Sequence, residues 1–214
     1  MKISTILFDL DNTLLGNDME TFLPGYFKLL SQFAQEHWEE KQFLQAVFKA
    51  TNVMVRNIDM AVTNRDVFYQ EFERLTGLEP QEVDAVLDDF YCVEFNTLQP
   101  LTQCISAAAE LVRFCFVQGW KVIIATNPMF PLRAIEARLD WAGVPVTEFS
   151  YDLVTTLENM HATKPHQAYY EEILRKVNSR PQYTLMVGDD WRRDIEPAAA
   201  LGMHTYWIQL PGTI

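Results

Sequence analysis

The spacing of apolar and polar positions divides the chain into two parts. Met1–Phe8 is a short apolar run that predicts a buried first strand, and an acidic pair follows it directly. From residue 16 to residue 98, apolar side chains recur at spacings of three and four, with no run typical of a strand. This part is therefore predicted to be all-helical, with Asn64 as the N-cap of one helix and Gly77 as its end.

From Pro100 onwards the pattern alternates between helices and strands. Helical periodicity predicts one helix that ends before Gly119, a second from about Pro131 to Gly143, a third from Pro165 and a fourth through Ala198–Leu201. Strands alternating with helices predict right-handed crossovers and a parallel sheet, so the fold class is α/β. The apolar runs that predict its strands are Lys121–Ala125, Leu153–Thr155, Tyr183–Val187 and His204–Ile208.

Four polar residues interrupt the predicted helical segment, namely Arg56, Asn57, Asn64 and Arg65. The simpler interpretation is that they are solvated loop residues, and the alternative is that they face a substrate.

Composition limits the classes of partner. The chain has 214 residues, 49% of them hydrophobic, which suffices for one main domain and a smaller unit. A net charge of −12 without a long basic run argues against binding to a nucleic acid backbone. No apolar stretch approaches the roughly 20 residues of a membrane span, and the start does not resemble a signal peptide. Because the three cysteines show no CxxC spacing, we expect reduced thiols and a cytoplasmic protein.

Asp9 and Asp11 lie where the first predicted strand ends. Residues i and i+2 of a strand point to the same side, so the two carboxylates are expected to leave the sheet together. Two close carboxylates repel each other unless a cation or a proton lies between them. A turn at Asp11-Asn12-Thr13 that caps the next element explains the same residues without any function.

Three later segments carry polar residues at strand ends or in the loops that follow. Thr126-Asn127 offers a hydroxyl and backbone N–H groups for a phosphoryl oxygen, although an Asn-Pro turn explains it equally well. Lys164 precedes a predicted helix and could offset phosphate charge, or be an ordinary surface lysine. Gly188-Asp189-Asp190 with Asp194 places three carboxylates where Mg²⁺ could bind, although an N-cap explains Asp190 or Asp194.

Together these segments resemble the four motifs of the haloacid dehalogenase (HAD) superfamily, specifically its Mg²⁺-dependent phosphatase branch. Motif I, DxDx[TV], matches Asp9–Thr13; motif II, a Thr or Ser after a strand, matches Thr126; motif III matches Lys164; and motif IV, GDxxxxD, matches Gly188–Asp194. The helical segment resembles a C1-type cap. The resemblance implies a Rossmann-like core of residues 1–15 and 99–214, with the cap, residues 16–98, inserted after the first strand.

The resemblance also implies a mechanism and a cofactor. Asp9 attacks phosphorus to give an aspartyl-phosphate, while Asp11 protonates the leaving oxygen and then activates water. Mg²⁺ is held by the carboxylates of Asp9 and Asp189 and by the backbone carbonyl of Asp11, with Asp190 and Asp194 as secondary ligands.

By the same resemblance, Thr126, Asn127 and Lys164 bind the phosphate. The implied reaction is hydrolysis of a small phosphorylated metabolite by a monomer or homodimer.

Two alternatives to a phosphatase stay open. A sugar-phosphate mutase of the β-phosphoglucomutase type shares all four motifs and the cap, and a non-catalytic binding or regulatory protein could use the same scaffold. The 2-haloacid dehalogenases lack the second aspartate of motif I, so Asp11 argues against them. The order of the motifs argues against a response-regulator receiver, in which the acidic pair precedes the phosphorylated aspartate.

Overall fold

Seven short strands lie within residues 2–209, the part of the chain that this computed structural model describes. Five of them form a parallel sheet and two form an antiparallel pair. The strands are β1 (Thr5–Phe8), β2 (Leu15–Asn17), β3 (Thr102–Cys104), β4 (Lys121–Ile124), β5 (Leu153–Val154), β6 (Thr184–Gly188) and β7 (His204–Trp207). The sheet order is β5-β4-β1-β6-β7, so β1 lies at the centre and the predicted parallel α/β sheet is confirmed.

Eight α-helices surround these strands in the described residues. They are α1 (Met19–Ala34), α2 (Glu40–Arg56), α3 (Asn64–Thr76), α4 (Pro80–Cys92), α5 (Ser106–Val117), α6 (Leu132–Trp141), α7 (Gln167–Lys176) and α8 (Glu196–Ala200). A 3₁₀ helix spans Glu94–Leu101, a second one Pro181–Tyr183, and a π-helix spans Trp191–Ile195. Within residues 2–209, no helix combines the length and apolarity needed to cross a bilayer. The three cysteine thiols in this part of the chain are free.

The central sheet is covered on both faces, which is why its strands read as continuous apolar runs. Alternate residues of a strand point to opposite faces. Leu7, Ile123 and Met186 pack on one face with α7 and α8. On the other face, residues such as Phe8 and Ile124 belong to a larger cluster that also includes α5, α6 and the helices before residue 101.

Aromatic side chains connect the helical segment to the sheet side of the molecule. Phe95 stacks on Trp141 of α6, with ring centroids 5.3 Å apart. Tyr26 of α1 meets Phe130, in the loop before α6, edge to face at 5.3 Å. Buried residues of both parts belong to one apolar cluster, so the helices share their core with the sheet.

Strands β2 and β3 stand on either side of the helical segment and pair with each other. Leu15 lies opposite Cys104, and Asn17 lies opposite Thr102. The helices occupy the chain from Met19 to Leu101 between these two strands. The division into a core and a cap at residues 16–98 stays a prediction.

Two predicted helix starts differ from the structure. Thr63, not Asn64, is the N-cap of α3: the Thr63 hydroxyl accepts from the Asp66 N–H, and the Asp66 carboxylate accepts from the Thr63 N–H. Asn64 is fully buried, with its amide 3.4 Å from the carbonyls of Pro128 and Ala162, so it is not a solvated loop residue. Helix α7 begins at Gln167 rather than at Pro165, because the backbone is still extended at the residue before it.

Candidate active site

The carboxyl ends of β1 and β6 bring three aspartates together. Asp9 follows β1, and its N–H donates to the carbonyl of Val187 in β6 at 2.9 Å. Asp189 follows β6, and Asp194 lies in the π-helix one turn later. Carboxylate oxygens of Asp9, Asp189 and Asp194 lie within 4.8 Å of one another. This is the edge at which parallel sheets bind ligands.

Lys164 supplies a positive charge to these carboxylates. Its Nζ donates to Asp9 Oδ1 at 2.7 Å and to Asp194 Oδ1 at 2.6 Å, and only 3% of the residue is exposed. Burial alone would lower the pKa of Lys164, but the carboxylates of Asp194 and Asp9 outweigh it and raise the pKa well above its usual value. The lysine therefore stays charged and partly neutralises the site.

Three carboxylates lie around this one lysine, and the pKa of two of them is raised. Burial raises the pKa of Asp9 well above its usual value, and Asp194 and Asp11 add to this, while Lys164 opposes it. Burial, followed by the charge of Asp194, raises the pKa of Asp189 to about 6. A second cation beside Asp9 and Asp189 would reverse these shifts.

Asp194 is fixed by close packing against the end of β6. Its Oδ2 accepts from the N–H of Asp190 at 3.1 Å, and it is almost fully buried. A side-chain carbon added at Gly188 would lie 2.3 Å from the same oxygen, so only glycine leaves room for this carboxylate. Asp190 has a different role: its carboxylate caps the π-helix by accepting from the N–H groups of Arg192 and Arg193.

The carboxylate of Asp11 has partners outside this group. Arg138 Nη1 donates to both of its oxygens, at 3.0 and 2.8 Å, and Asn17 Nδ2 donates to Oδ1 at 2.8 Å. Strand β1 ends at Phe8, and the chain then turns so that the N–H groups of Leu14 and Leu15 donate to the carbonyl of Leu10. The alternation expected of a strand does not extend to Asp11, and this explains why Asp9 and Asp11 have different partners.

The predicted phosphate-binding residues are held close to Lys164. The backbone carbonyl of Thr126 accepts from the Thr155 hydroxyl at 2.7 Å and from the Tyr169 hydroxyl at 2.8 Å. Asn127 Oδ1 accepts from the backbone N–H of Lys164 at 3.1 Å. These contacts fix the loop after β4 against the loop that carries the lysine.

The donor set fits Mg²⁺, which prefers oxygen ligands and is held through one or two carboxylates with several waters. Asp9 and Asp189 offer such oxygens, and Asp194 adds a third beside Lys164. Of the predicted site residues, the structure brings Asp9, Asp189, Asp194 and Lys164 together. Asp190 caps a helix and Asp11 faces Arg138, and the functional roles of all six stay predictions.

The sequence interpretation missed Arg138, whose side chain is 1% exposed. Its only signal is position: it lies on the face of α6 that carries Ala134, Ile135 and Leu139, where an apolar residue is expected. It also gave no role to Asn12, which tolerates the left-handed backbone of the turn (φ 57°) and whose Oδ1 accepts from the N–H of Asn17 at 3.0 Å.

Comparison with known proteins identifies one matching family and several proteins of similar sequence or fold. The chain matches the haloacid dehalogenase-like hydrolase family over residues 3–202. It is 25% identical over 191 residues to pyrophosphatase PpaX of Bacillus mycoides (strain KBAB4), covering 89% of this chain and 76% of the relative. A 2-haloacid dehalogenase from Pseudomonas syringae pv. Tomato DC3000 has a TM-score of 0.63 at 20% identity, covering 99% of this chain and 89% of that one. The putative HAD-hydrolase YfnB from Bacillus subtilis has a TM-score of 0.55 at 18% identity, covering 97% and 89%.

The two structural similarities concern the fold, and they agree with the predicted α/β class. The family match covers nearly the whole chain, so the prediction of a HAD-like phosphohydrolase is confirmed at the level of the superfamily and its hydrolase class. The chain therefore belongs to the haloacid dehalogenase-like hydrolases.

Proposed function

We propose that this hydrolase is a Mg²⁺-dependent phosphatase that cleaves a small phosphomonoester through an aspartyl-phosphate on Asp9. The observation that carries the proposal is the buried Asp9 carboxylate, bonded to Lys164 and grouped with Asp189 and Asp194. Phosphoryl transfer depends mainly on positioning and on stabilising charge, and these residues offer both.

In the proposed reaction, a carboxylate oxygen of Asp9 attacks phosphorus, and the bond from phosphorus to the alcohol oxygen breaks. The Asp11 carboxyl group gives its proton to that oxygen. The Asp11 carboxylate then takes a proton from water, whose oxygen attacks phosphorus and releases Asp9. Lys164 offsets charge on Asp9 and on the phosphoryl oxygens, with Thr126 and Asn127 beside them.

Mg²⁺ would be held by the carboxylates of Asp9 and Asp189, with Asp194 in support. When bound, it offsets the charge of the carboxylates and of the phosphate. The crystal structure of YfnB is bound to magnesium, which supports the proposal. The similarity to PpaX, a pyrophosphatase by name, supports phosphoryl chemistry. A cytoplasmic location stays a prediction.

A cavity of about 610 Å³ lies between the helical segment and the loop after β4, and we propose it for the organic group of the ester. This volume is within the usual range for small-molecule sites. Met129 lines the cavity, and its sulfur accepts from Asn127 Nδ2 at 3.2 Å, so the cavity begins beside a predicted phosphate-binding residue. Tyr26, Phe68 and Tyr69 contribute aromatic surface.

The charges in this cavity favour an uncharged organic group. Its two arginines, Arg65 and Arg133, form ion pairs with Asp84 and Asp88 in the same lining. Glu136 and Glu158 add further negative charge. A second anionic group on the substrate would meet repulsion here, and we expect aryl phosphates to be better substrates than phosphoglycolate.

The test is a phosphate-release screen with and without Mg²⁺, over sugar phosphates, nucleotides, phosphoglycolate and small aryl phosphates. We expect Mg²⁺-dependent release by the wild type. Asp9→Asn should lower turnover by at least about 1,000-fold while keeping the fold, because the nucleophile is lost. Asp189→Ala should raise the Mg²⁺ concentration needed for activity.

The matched control is Asp18→Asn at the N-cap of α1, a position that asparagine also serves well. Asp9→Asn with the activity of this control would refute the nucleophile. Isomerisation of sugar phosphates with little free phosphate would indicate a mutase instead. The absence of any metal-dependent release would favour a non-catalytic protein.

A further inference from the structure

Arg138 is a buried cation beside the predicted acid/base, Asp11. Its Nη1 contacts both oxygens of Asp11, while its guanidinium lies over the Phe130 ring, 4.9 Å from the centroid. Its Nε and Nη2 are buried and have no hydrogen-bond partner among residues 2–209. The ion pair with Asp11 is therefore the main compensation for this buried charge.

Stability alone does not explain an arginine at this position. Unsatisfied buried donors cost free energy, and a well-packed apolar residue often stabilises a protein as much as a buried ion pair or more. The neighbours of Arg138 on its helix face are apolar. An apolar residue is expected to pack here at least as well, so the ion pair with Asp11 is the feature that distinguishes the arginine from it.

The contacts of Asp11 determine where its carboxylate can point. Arg138 approaches from α6 and Asn17 from β2, whereas the carboxylates of Asp9 and Asp194 gather around Lys164. Without Arg138, the Asp11 carboxylate could rotate towards the positive charge of Lys164 or a bound cation. The side chain of Asp11 is 17% exposed, so water or a small ligand can still reach it.

We propose that Arg138 is a positioning residue that keeps Asp11 oriented for proton transfer to the leaving oxygen and from water. This inference rests on the proposed phosphatase reaction. Arg138 forms no bond to substrate in it, and each proton moves between Asp11 and an alcohol or water oxygen.

The test is the dependence of Arg138→Met on the leaving group. An alkyl phosphate needs a proton on its leaving oxygen, whereas 2,4-dinitrophenyl phosphate does not. We expect kcat/KM to fall by about tenfold or more for the alkyl phosphate and by less than about threefold for the dinitrophenyl ester. With the dinitrophenyl ester, kcat should fall and a burst of dinitrophenol should appear. The reason is that hydrolysis of the aspartyl-phosphate, for which Asp11 activates water, becomes rate-limiting.

Arg113→Met is the matched control. Arg113 is an exposed arginine of α5 whose guanidinium also lies over an aromatic ring, that of Phe149, 5.6 Å from the centroid. In the described residues it neither lines the cavity nor contacts Asp11. This variant should show the wild-type leaving-group dependence. Arg138→Lys keeps the positive charge and should show the same leaving-group dependence as Arg138→Met, with a smaller loss of kcat/KM for the alkyl phosphate. If Arg138→Met does not fold, Arg138→Lys provides the test.

An equal loss of kcat/KM for both esters would overturn the inference, because a purely structural role affects all substrates alike. Wild-type kinetics in Arg138→Met would overturn it as well, as would the same pattern in Arg113→Met. A wild type that hydrolyses neither ester would instead refute the proposed function, and the inference with it.

Discussion

At Gly188, the space that a side chain would occupy is filled by the carboxylate of Asp194. That carboxylate bonds Lys164, and Lys164 bonds Asp9, so one glycine supports the position of three charged groups. The functional consequence of this packing can be tested by adding a single carbon atom.

Gly188→Ala should displace Asp194 from Lys164 and raise the Mg²⁺ concentration for half-maximal activity by about 10- to 100-fold, as is usual for residues that support metal ligands. A Mg²⁺ titration of phosphate release measures this. The control is Gly119→Ala, where nothing lies near the added carbon although φ is 69°. An unchanged titration for Gly188→Ala would contradict the supporting role of Asp194.

Single residues differ in how well the sequence predicted them. Asp9, Lys164 and Asp189 carry recognisable motif spacing, and the sheet brings them to one edge. Arg138 has no motif, because its role depends on a helix packing beside a turn that is distant in sequence. For Asp190 the sequence allows both a secondary metal ligand and a helix cap; the structure shows the cap, and the metal role stays a prediction.

Among the elements, the start of α3 connects the helical segment to the sheet side. The N–H of Asn64 donates to the carbonyl of Met160 at 2.7 Å, and that of Arg65 donates to Leu157 at 3.0 Å. The first N–H groups of a helix have no acceptor within the helix and would otherwise hydrogen-bond water. The Thr63–Asp66 capping box sets the backbone direction at this junction.

Thr63→Ala should lower the free energy of unfolding by about 1 kcal/mol, because the N-cap hydrogen bond is lost. Urea unfolding followed by circular dichroism measures this. Thr147→Ala, an exposed threonine for which the described structure shows no side-chain hydrogen bond, is the control and should change little. Equal effects of both substitutions would argue against the capping box.

The sequence predicted elements better than their boundaries. The sequence predicted the buried strands of the sheet because a strand that is covered on both faces is a continuous run of apolar residues. The sequence did not predict strands β2 and β3, because each has three residues, which are too few to show a periodic pattern. Their pairing joins two segments that lie on either side of the whole helical segment in the sequence.

In the molecule as a whole, one apolar cluster extends from the sheet into the helical segment. Parts that share a core lose their stability together. The stacked pair Phe95 and Trp141 lies where the 3₁₀ helix meets α6.

We expect one unfolding transition, with coincident curves from far-UV circular dichroism and tryptophan fluorescence. Phe95→Ala should destabilise the whole chain by about 3–5 kcal/mol, since a large buried side chain is removed. Its two curves should shift together. Two separate transitions in the wild type would show that the helical segment and the sheet unfold independently.

The pairing of β2 with β3 has an evolutionary consequence. It brings the two ends of the helical segment side by side, so the segment leaves and re-enters the sheet side at one point. The entropic cost of closing a loop grows only slowly with its length, so an insertion whose ends already meet can change in size at little entropic cost, provided that its residues in the shared core are kept or replaced together. A lineage could therefore exchange the helices for others, and with them the lining of the cavity, while the aspartates at the sheet edge stay in place.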